Sequence, residues 1–122
     1  MTSVLNVDTI ADKAGTGPVA LTKQSAAKSY LTYDQTVPEV DGSLNVSSVT
    51  DHSAGAFTVN FQNSMNNTTY SWFTGGQDGR VTGVNTGTVP TTSAIKYFTR
   101  ITNTLGLVDV NLNTAGIHGD LA

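Results

Sequence analysis

The 122-residue sequence predicts an all-β fold: an antiparallel β-sandwich or jelly-roll-like body behind a short extended N-terminal arm. Three observations lead there. Thr, Asn and Ser fill roughly a third of the chain while charged residues make up only 12%, about half the ~25% usual in soluble proteins. Such residues suit strands and turns and weaken helices. Several short runs alternate apolar and polar residues with period two, the mark of half-buried strands. Beyond residue 30 no stretch carries the longer apolar period of an amphipathic helix. A chain of this length is enough for one domain with a core, and too short for two.

The arm is expected over residues 1–25 and the body over residues 26–122. Val4 to Ile10 reads as a short extended run that ends at the breaker Gly15-Thr16-Gly17-Pro18, and Val19-Ala20-Leu21 follows. A two-strand arm of this size cannot bury its own apolar face, so Val4, Leu5, Val7, Ile10, Val19 and Leu21 are its expected anchoring contacts. The segment between Leu21 and Tyr30, TKQSAAKS, reads as a linker or a single helical turn.

Tyr30-Leu31-Thr32-Tyr33 opens the body, and a turn-rich connection through Pro38, Asp41 and Gly42 leads to the clearest hairpin, Leu44 to Phe61. Its second strand places Phe57, Val59 and Phe61 on one face, opposite Thr58 and Asn60. In its first strand the apolar positions are Leu44, Val46 and Val49, so the alternation slips at Ser47-Ser48 and predicts a β-bulge. Thr68 to Thr74 reads as a strand with Tyr70 and Trp72 on one face and Phe73 on the other, both faces covered by a second layer of a sandwich or by a subunit interface. Gly75 to Pro90 reads as a long loop or an excursion of weak strands around Arg80-Val81 and Val84. Ala94 to Thr102 sets Ile95, Tyr97, Thr99 and Ile101 against Lys96, Phe98 and Arg100. Leu105 to Leu112 and a last run through Ile117 and His118 complete the expected sheets.

Composition also narrows function. A net charge of -3 and a pI near 4.9 leave too few basic residues to displace counterions from duplex nucleic acid. With no cysteine, neither a disulfide framework nor a thiolate metal site is available. No window approaches the length of a membrane span, and the first residues lack the pattern of a signal peptide, so folding in a cytoplasm is expected and membrane insertion is not. The sequons at Asn45, Asn66 and Asn67 then read as incidental products of an Asn/Ser/Thr-rich chain.

The residues closest to a catalytic set are Asp51-His52-Ser53 and His118-Gly119-Asp120. Neighbours on a turn rarely point at one another, whereas a nucleophile, base and orienting acid must converge, so both read as turn formers. Asp34, Glu39, Asp41, Asp78 and Asp109 form no signature of paired carboxylates, and the two histidines match no spaced ligand set. No enzyme, cofactor or metal is expected. For ligand or host contact the candidates are Trp72, Gln77, Asp78, Arg80 and Asn85: polar groups of the kind that bind sugars, beside an aromatic that can stack. Tyr70 and Tyr97 are further stacking candidates, although large aromatics in alternating strands are usually buried in cores or interfaces.

One run in this sequence resembles a known module. Lys28, Tyr30 and Leu31, then Leu44 through Asp51, and then Gly55 and Phe57 through Phe61 are similar to a C-terminal β module of bacteriophage virion structural proteins, especially tail-fibre and capsid-appendage proteins of marine and cyanobacterial phages. Val7, Asp8, Thr9, Ile10 and Gly17 resemble an opening that such proteins share. The resemblance implies a non-enzymatic virion component that trimerises, attaches to capsid or tail proteins through its arm, and exposes its body. Because the two segments here are nearly contiguous, it implies a short spike, head fibre or capsid decoration in place of a long shaft. The alternative is a carbohydrate-binding module that recognises a host surface glycan.

Overall fold

The structure is a computed structural model and describes residues 27–84 and 87–121. These residues form eight strands and no helix: β1 (Ser29–Asp34), β2 (Glu39–Leu44), β3 (Val46–Asp51), β4 (Ala56–Phe61), β5 (Ser71–Gly76), β6 (Val81–Gly83), β7 (Ala94–Arg100) and β8 (Asn113–His118). They pair into two antiparallel four-stranded sheets, β2-β1-β8-β5 and β3-β4-β7-β6. The fold is the β-sandwich that the composition and alternation predict.

Hydrophobic alternation fixes which faces meet. Leu31, Tyr33, Ala115 and Ile117 of the first sheet pack against Phe57, Val59, Phe61, Ile95 and Tyr97 of the second, all buried. Phe57 is the hinge of this core, its ring 5.1 Å from Tyr33 and 5.6 Å from Tyr97. Tyr70 and Met65 close one end, where Tyr70 meets Phe61 edge to face at 5.9 Å and donates to the Thr91 carbonyl at 2.8 Å. Near the other end the core turns polar. Asn113 Oδ1 accepts from the Thr82 and Thr99 hydroxyls, at 2.9 and 3.1 Å, while its Nδ2 donates to Gln35 Oε1 at 2.5 Å. A buried network of this kind is stabilising only when its groups find partners.

The edges are turned by special backbone. Asn45 adopts φ 55° between β2 and β3, and its side chain exchanges two hydrogen bonds with the backbone of Asn63, at 3.0 and 2.7 Å. An Asn tolerates this left-handed conformation better than a branched residue does. On the adjoining edges of the other side, the Thr74 hydroxyl donates to the Thr82 carbonyl and ties β5 to β6.

The Leu44–Phe61 hairpin is present, with its register slip between Val46 and Ser48 where the apolar alternation breaks. Three expectations need correction. The stretch through Asp41 and Gly42 is not only a connection: a turn over residues 35–38 is followed by β2, whose side chains are mostly exposed and therefore give no apolar alternation to read. Leu105 to Leu112 forms no strand; Leu105 takes φ 58°, and the run makes a single bridge, Leu107 to Arg100, before β8 begins at Asn113. The strand expected from Thr68 starts at Ser71 and runs on to Gly76, and within the single chain neither Trp72 nor Phe73 is covered, at 43% and 53% exposure. Val4, Leu5, Val7, Ile10, Val19 and Leu21 lie outside the described residues, as does Asn85.

Candidate functional site

The outer face of the first sheet holds the features that the core does not explain. Because paired residues share a face, the register lines up Leu44 with Tyr30, Tyr30 with Gly116, and Gly116 with Phe73, one residue from each strand. Leu44, Tyr30 and Phe73 are 48%, 47% and 53% exposed. Gly116 explains how the row lies flat. A Cβ there would stand 2.2 Å from the Phe73 ring, so the ring rests directly on the β8 backbone, the close approach for which a strand glycine is suited. The ring's other neighbour is His118, 5.4 Å away.

The next row along the strands is nearly bare: Gly42, Thr32, Thr114 and Gly75. Where it reaches β5 it opens a cleft of ≈ 180 Å³, lined by Gly75, Gly76, Gln77, Leu112 and Thr114. The Gln77 backbone N–H donates to the Leu112 carbonyl at 3.0 Å and carries the pairing one step past β5. Gln77 Oε1 is buried with no hydrogen-bond partner, as is the neighbouring Arg80 Nε.

The structure divides the residues that the sequence singles out for ligand contact. Gln77 lines the cleft, while Asp78 and Gly79, at φ 57° and 68°, form the tight turn that follows and Arg80 N returns to the Gln77 carbonyl at 3.1 Å. Trp72 sits at the opposite end of β5, five residues from Gln77, roughly 17 Å along an extended strand, and pairs with Ile117 on the core-facing side. Tyr70 and Tyr97 are buried and offer no stacking face to solvent. Burial pushes the Tyr70 phenol up to about 12 and raises Tyr97 and Tyr33 as well. Thr114 and Leu112 are not singled out by the sequence, and Phe73 is read there only as a strand aromatic, not as a ligand contact. Their signals were an isolated glycine inside a strand at Gly116 and a Gly75-Gly76 pair at a strand end, both of which mark backbone left bare for something to approach.

Of the two polar triplets, Asp51-His52-Ser53 serves a turn, whereas His118 is the last residue of β8 and Gly119 and Asp120 follow it. His52 Nε2 lies 2.8 Å from the Thr58 hydroxyl, His52 N donates to Ala56 O, and Ala56 N donates to Ser53 O, so Asp51-His52-Ser53 closes the β3-β4 hairpin. Asp34 accepts from the hydroxyl and the backbone amide of Thr36, and the hydroxyl contact holds its carboxyl below its ordinary range. Among the described residues no three His, Asp or Glu side chains gather as a metal site. The outer face can offer flat apolar contact and a small, uncharged cleft lined mostly by apolar surface. No protein-family model matches the chain, and no curated protein or solved structure matches it.

Proposed function

We propose that this chain is a bacteriophage virion structural protein: a short, non-enzymatic surface appendage, such as a capsid decoration, head fibre or tail-fibre component, assembled in the host cytoplasm as a homotrimer. The observation that carries the reading is the row Leu44-Tyr30-Gly116-Phe73, which sets three half-exposed apolar side chains across all four strands of one sheet. A contiguous apolar stripe on a chain with so few charges is a packing surface. The virion assignment and the threefold state come from the resemblance of Lys28 to Leu31 and Leu44 to Phe61.

Magnitudes give the arm its part. Full burial of a Leu or Phe contributes about 1.5–3 kcal/mol, so completing burial of three half-covered side chains yields only a few kcal/mol per chain. Association costs about 4–15 kcal/mol in lost rigid-body freedom. The row specifies where copies meet, and Val4, Leu5, Val7, Ile10, Val19 and Leu21 supply further contact to the assembly and to capsid or tail proteins.

Light scattering on the full chain at micromolar concentration tests this, with three times the chain mass expected and a lower mass for the double variant Tyr30→Asp, Phe73→Asp. A stable wild-type monomer removes the trimer. Deleting residues 1–25 should yield a chain with unchanged strand circular dichroism that no longer joins the particle; normal incorporation would refute the arm's role.

A further inference from the structure

We infer that the row Leu44-Tyr30-Gly116-Phe73 of one copy is covered by residues 19–21 of the next, so that each copy gives its arm to a neighbour. The inference rests on the assembly reading and names the segment that the packing surface receives.

The face offers two lanes side by side. The apolar row occupies one, flat because the Phe73 ring lies on the Gly116 backbone. Beside it runs the bare row Gly42-Thr32-Thr114-Gly75. A Cβ at Gly42 would meet nothing within 4 Å, and at the Gly75 end the lane widens into the depression of ≈ 180 Å³. Glycines placed this way in strands leave room for another backbone to come close. Such a backbone needs hydrogen-bond partners. The lane has two hydroxyls to give: among the described residues Thr32 Oγ1 has no partner, and Thr114 Oγ1 makes only a long 3.5 Å contact with Gly75 O.

A short extended segment fits this pair of lanes. Crossing four strands takes roughly 14 Å, three steps of about 4.8 Å, a distance that about four extended residues span. Val19 and Leu21 are two positions apart, so their side chains fall on the same side of such a segment. They lean on Leu44, Tyr30 and Phe73 while the backbone lies along the bare lane.

Direction selects whose segment it is. Tyr30 is the second residue of β1, Lys28 N donates to Ile117 O at 2.7 Å, and the described chain begins at Ala27. The chain thus enters the sheet at the level of the row, from outside it. From Leu21 to Ala27 it spans at most about 20 Å, enough to bridge to an adjoining copy. To cover its own Tyr30 it would have to reverse within residues 22–28, which hold no Gly, Pro, Asn or Asp, the residues that favour tight reversals. The turn formers lie on the far side of Val19, at Gly15-Thr16-Gly17-Pro18. An arm laid on a neighbour's row is a head-to-tail contact, and such contacts close into rings. In a ring of three, each copy gives one arm and receives one, and no row is left bare. Val4, Leu5, Val7 and Ile10 then remain for the capsid or tail.

The chain has no cysteine, so introduced thiols report single contacts, a disulfide requiring Cα atoms within about 7 Å. The full chain is refolded as a mixture of Ala20→Cys with Thr32→Cys, or of Ala20→Cys with Thr114→Cys, and oxidised at micromolar concentration. Mixed disulfide pairs should form with at least one lane position, about fivefold or more above the pairing of Ala20→Cys with Thr50→Cys on the other sheet. In a chain carrying both thiols the link should join different chains. The double variant Val19→Asp, Leu21→Asp should lower the mass seen by light scattering while its strand circular dichroism is unchanged. An assembly of full mass that gives no mixed pair, a link that closes within one chain, or Thr32→Cys chains that link only to one another overturns the arm contact and leaves the assembly standing. A monomeric wild type removes both.

Discussion

The two sheets turn very different outer faces to their surroundings. On the second sheet Asn60 Nδ2 reaches the Ser48 hydroxyl at 3.0 Å and the Thr50 hydroxyl at 3.1 Å, and His52 engages Thr58. Its one outward aromatic, Phe98, is flanked by Lys96 at 5.3 Å and Arg100 at 5.9 Å. Polar groups there satisfy one another and the ring is shielded by cations, which suits a face that meets water. The first sheet leaves Leu44, Tyr30 and Phe73 half exposed and the Gln77 oxygen unpaired. One face is mostly polar and internally paired, with Val81 its exposed apolar side chain at the β6 edge, and the other carries a row of half-exposed apolar side chains. The inner faces, by contrast, are shared equally, and this gives a scale against which changes on either outer face can be judged.

The largest loss should come from the core that both sheets share. Phe57 is fully buried and contacts Tyr33 of the first sheet and Tyr97 of the second, so Phe57→Ala should cost about 3–5 kcal/mol in denaturant unfolding. A loss under about 1 kcal/mol would mean that the two sheets are not joined through this ring. Next comes Gly55, at φ 71°, where a Cβ would stand 2.6 Å from both the Thr99 carbonyl and the Val108 amide. Its own amide donates to Asp109 and its carbonyl accepts from Thr99 N. Gly55→Ala should therefore cost about 2–3 kcal/mol, since the backbone on both sides has to move; a neutral substitution would break the account of the hairpin tip.

How legible these features are in the sequence follows from what each one buries. β4 and β7 alternate cleanly because one face of each is core and the other is not, and the pattern gives their existence and their buried face, while the pairing between them is visible only in the structure. The bulge at Ser47-Ser48 is legible because it displaces Val49 from the period. β2 is not legible: it is a sheet edge with little buried, and EVDGSL carries no period at all. The outer row is hidden for another reason. Leu44, Tyr30 and Phe73 come from strands distant in sequence, and only the register of three strand pairs brings them into line. The cleft depends on the absence of side chains, which apolar counting never sees.

Alkaline pH separates the tyrosines inside the sandwich from the bulk. With Tyr70 raised from 10.0 to about 12 by burial, the unfolded chain loses its phenolic proton first. Between those values the unfolded state binds fewer protons, so its contribution to stability is present below pH 10 and is lost as pH rises through about 12. Tyr97 and Tyr33 shift in the same direction. Denaturant midpoints should fall over this window, and Tyr70→Phe should reduce the slope; a flat profile would mean that the ring is reached by water. A smaller change is expected on the outer face of the second sheet, where Asn60→Ala removes contacts to Ser48 and Thr50 and should cost roughly 0.5–1.5 kcal/mol.

The least effect on the isolated chain should come from the outer face of the first sheet, and that is what makes it informative. Phe73 is more than half exposed and lies over Gly116 without entering the core, so Phe73→Ser should shift unfolding by no more than about 0.5 kcal/mol. Gly116→Ala should be similarly mild, because the atoms that a Cβ displaces are the far end of a ring free to swing outward. Both changes nevertheless remove the flat row, and both should lower the mass seen by light scattering while Asn60→Ala, costlier to the fold, leaves it unchanged. Stability and association would then move in opposite order across the two faces. If Phe73→Ser instead destabilised the chain as much as Asn60→Ala and left its mass untouched, the row would be an outlying part of the core, and the contrast between the sheets would carry no functional meaning.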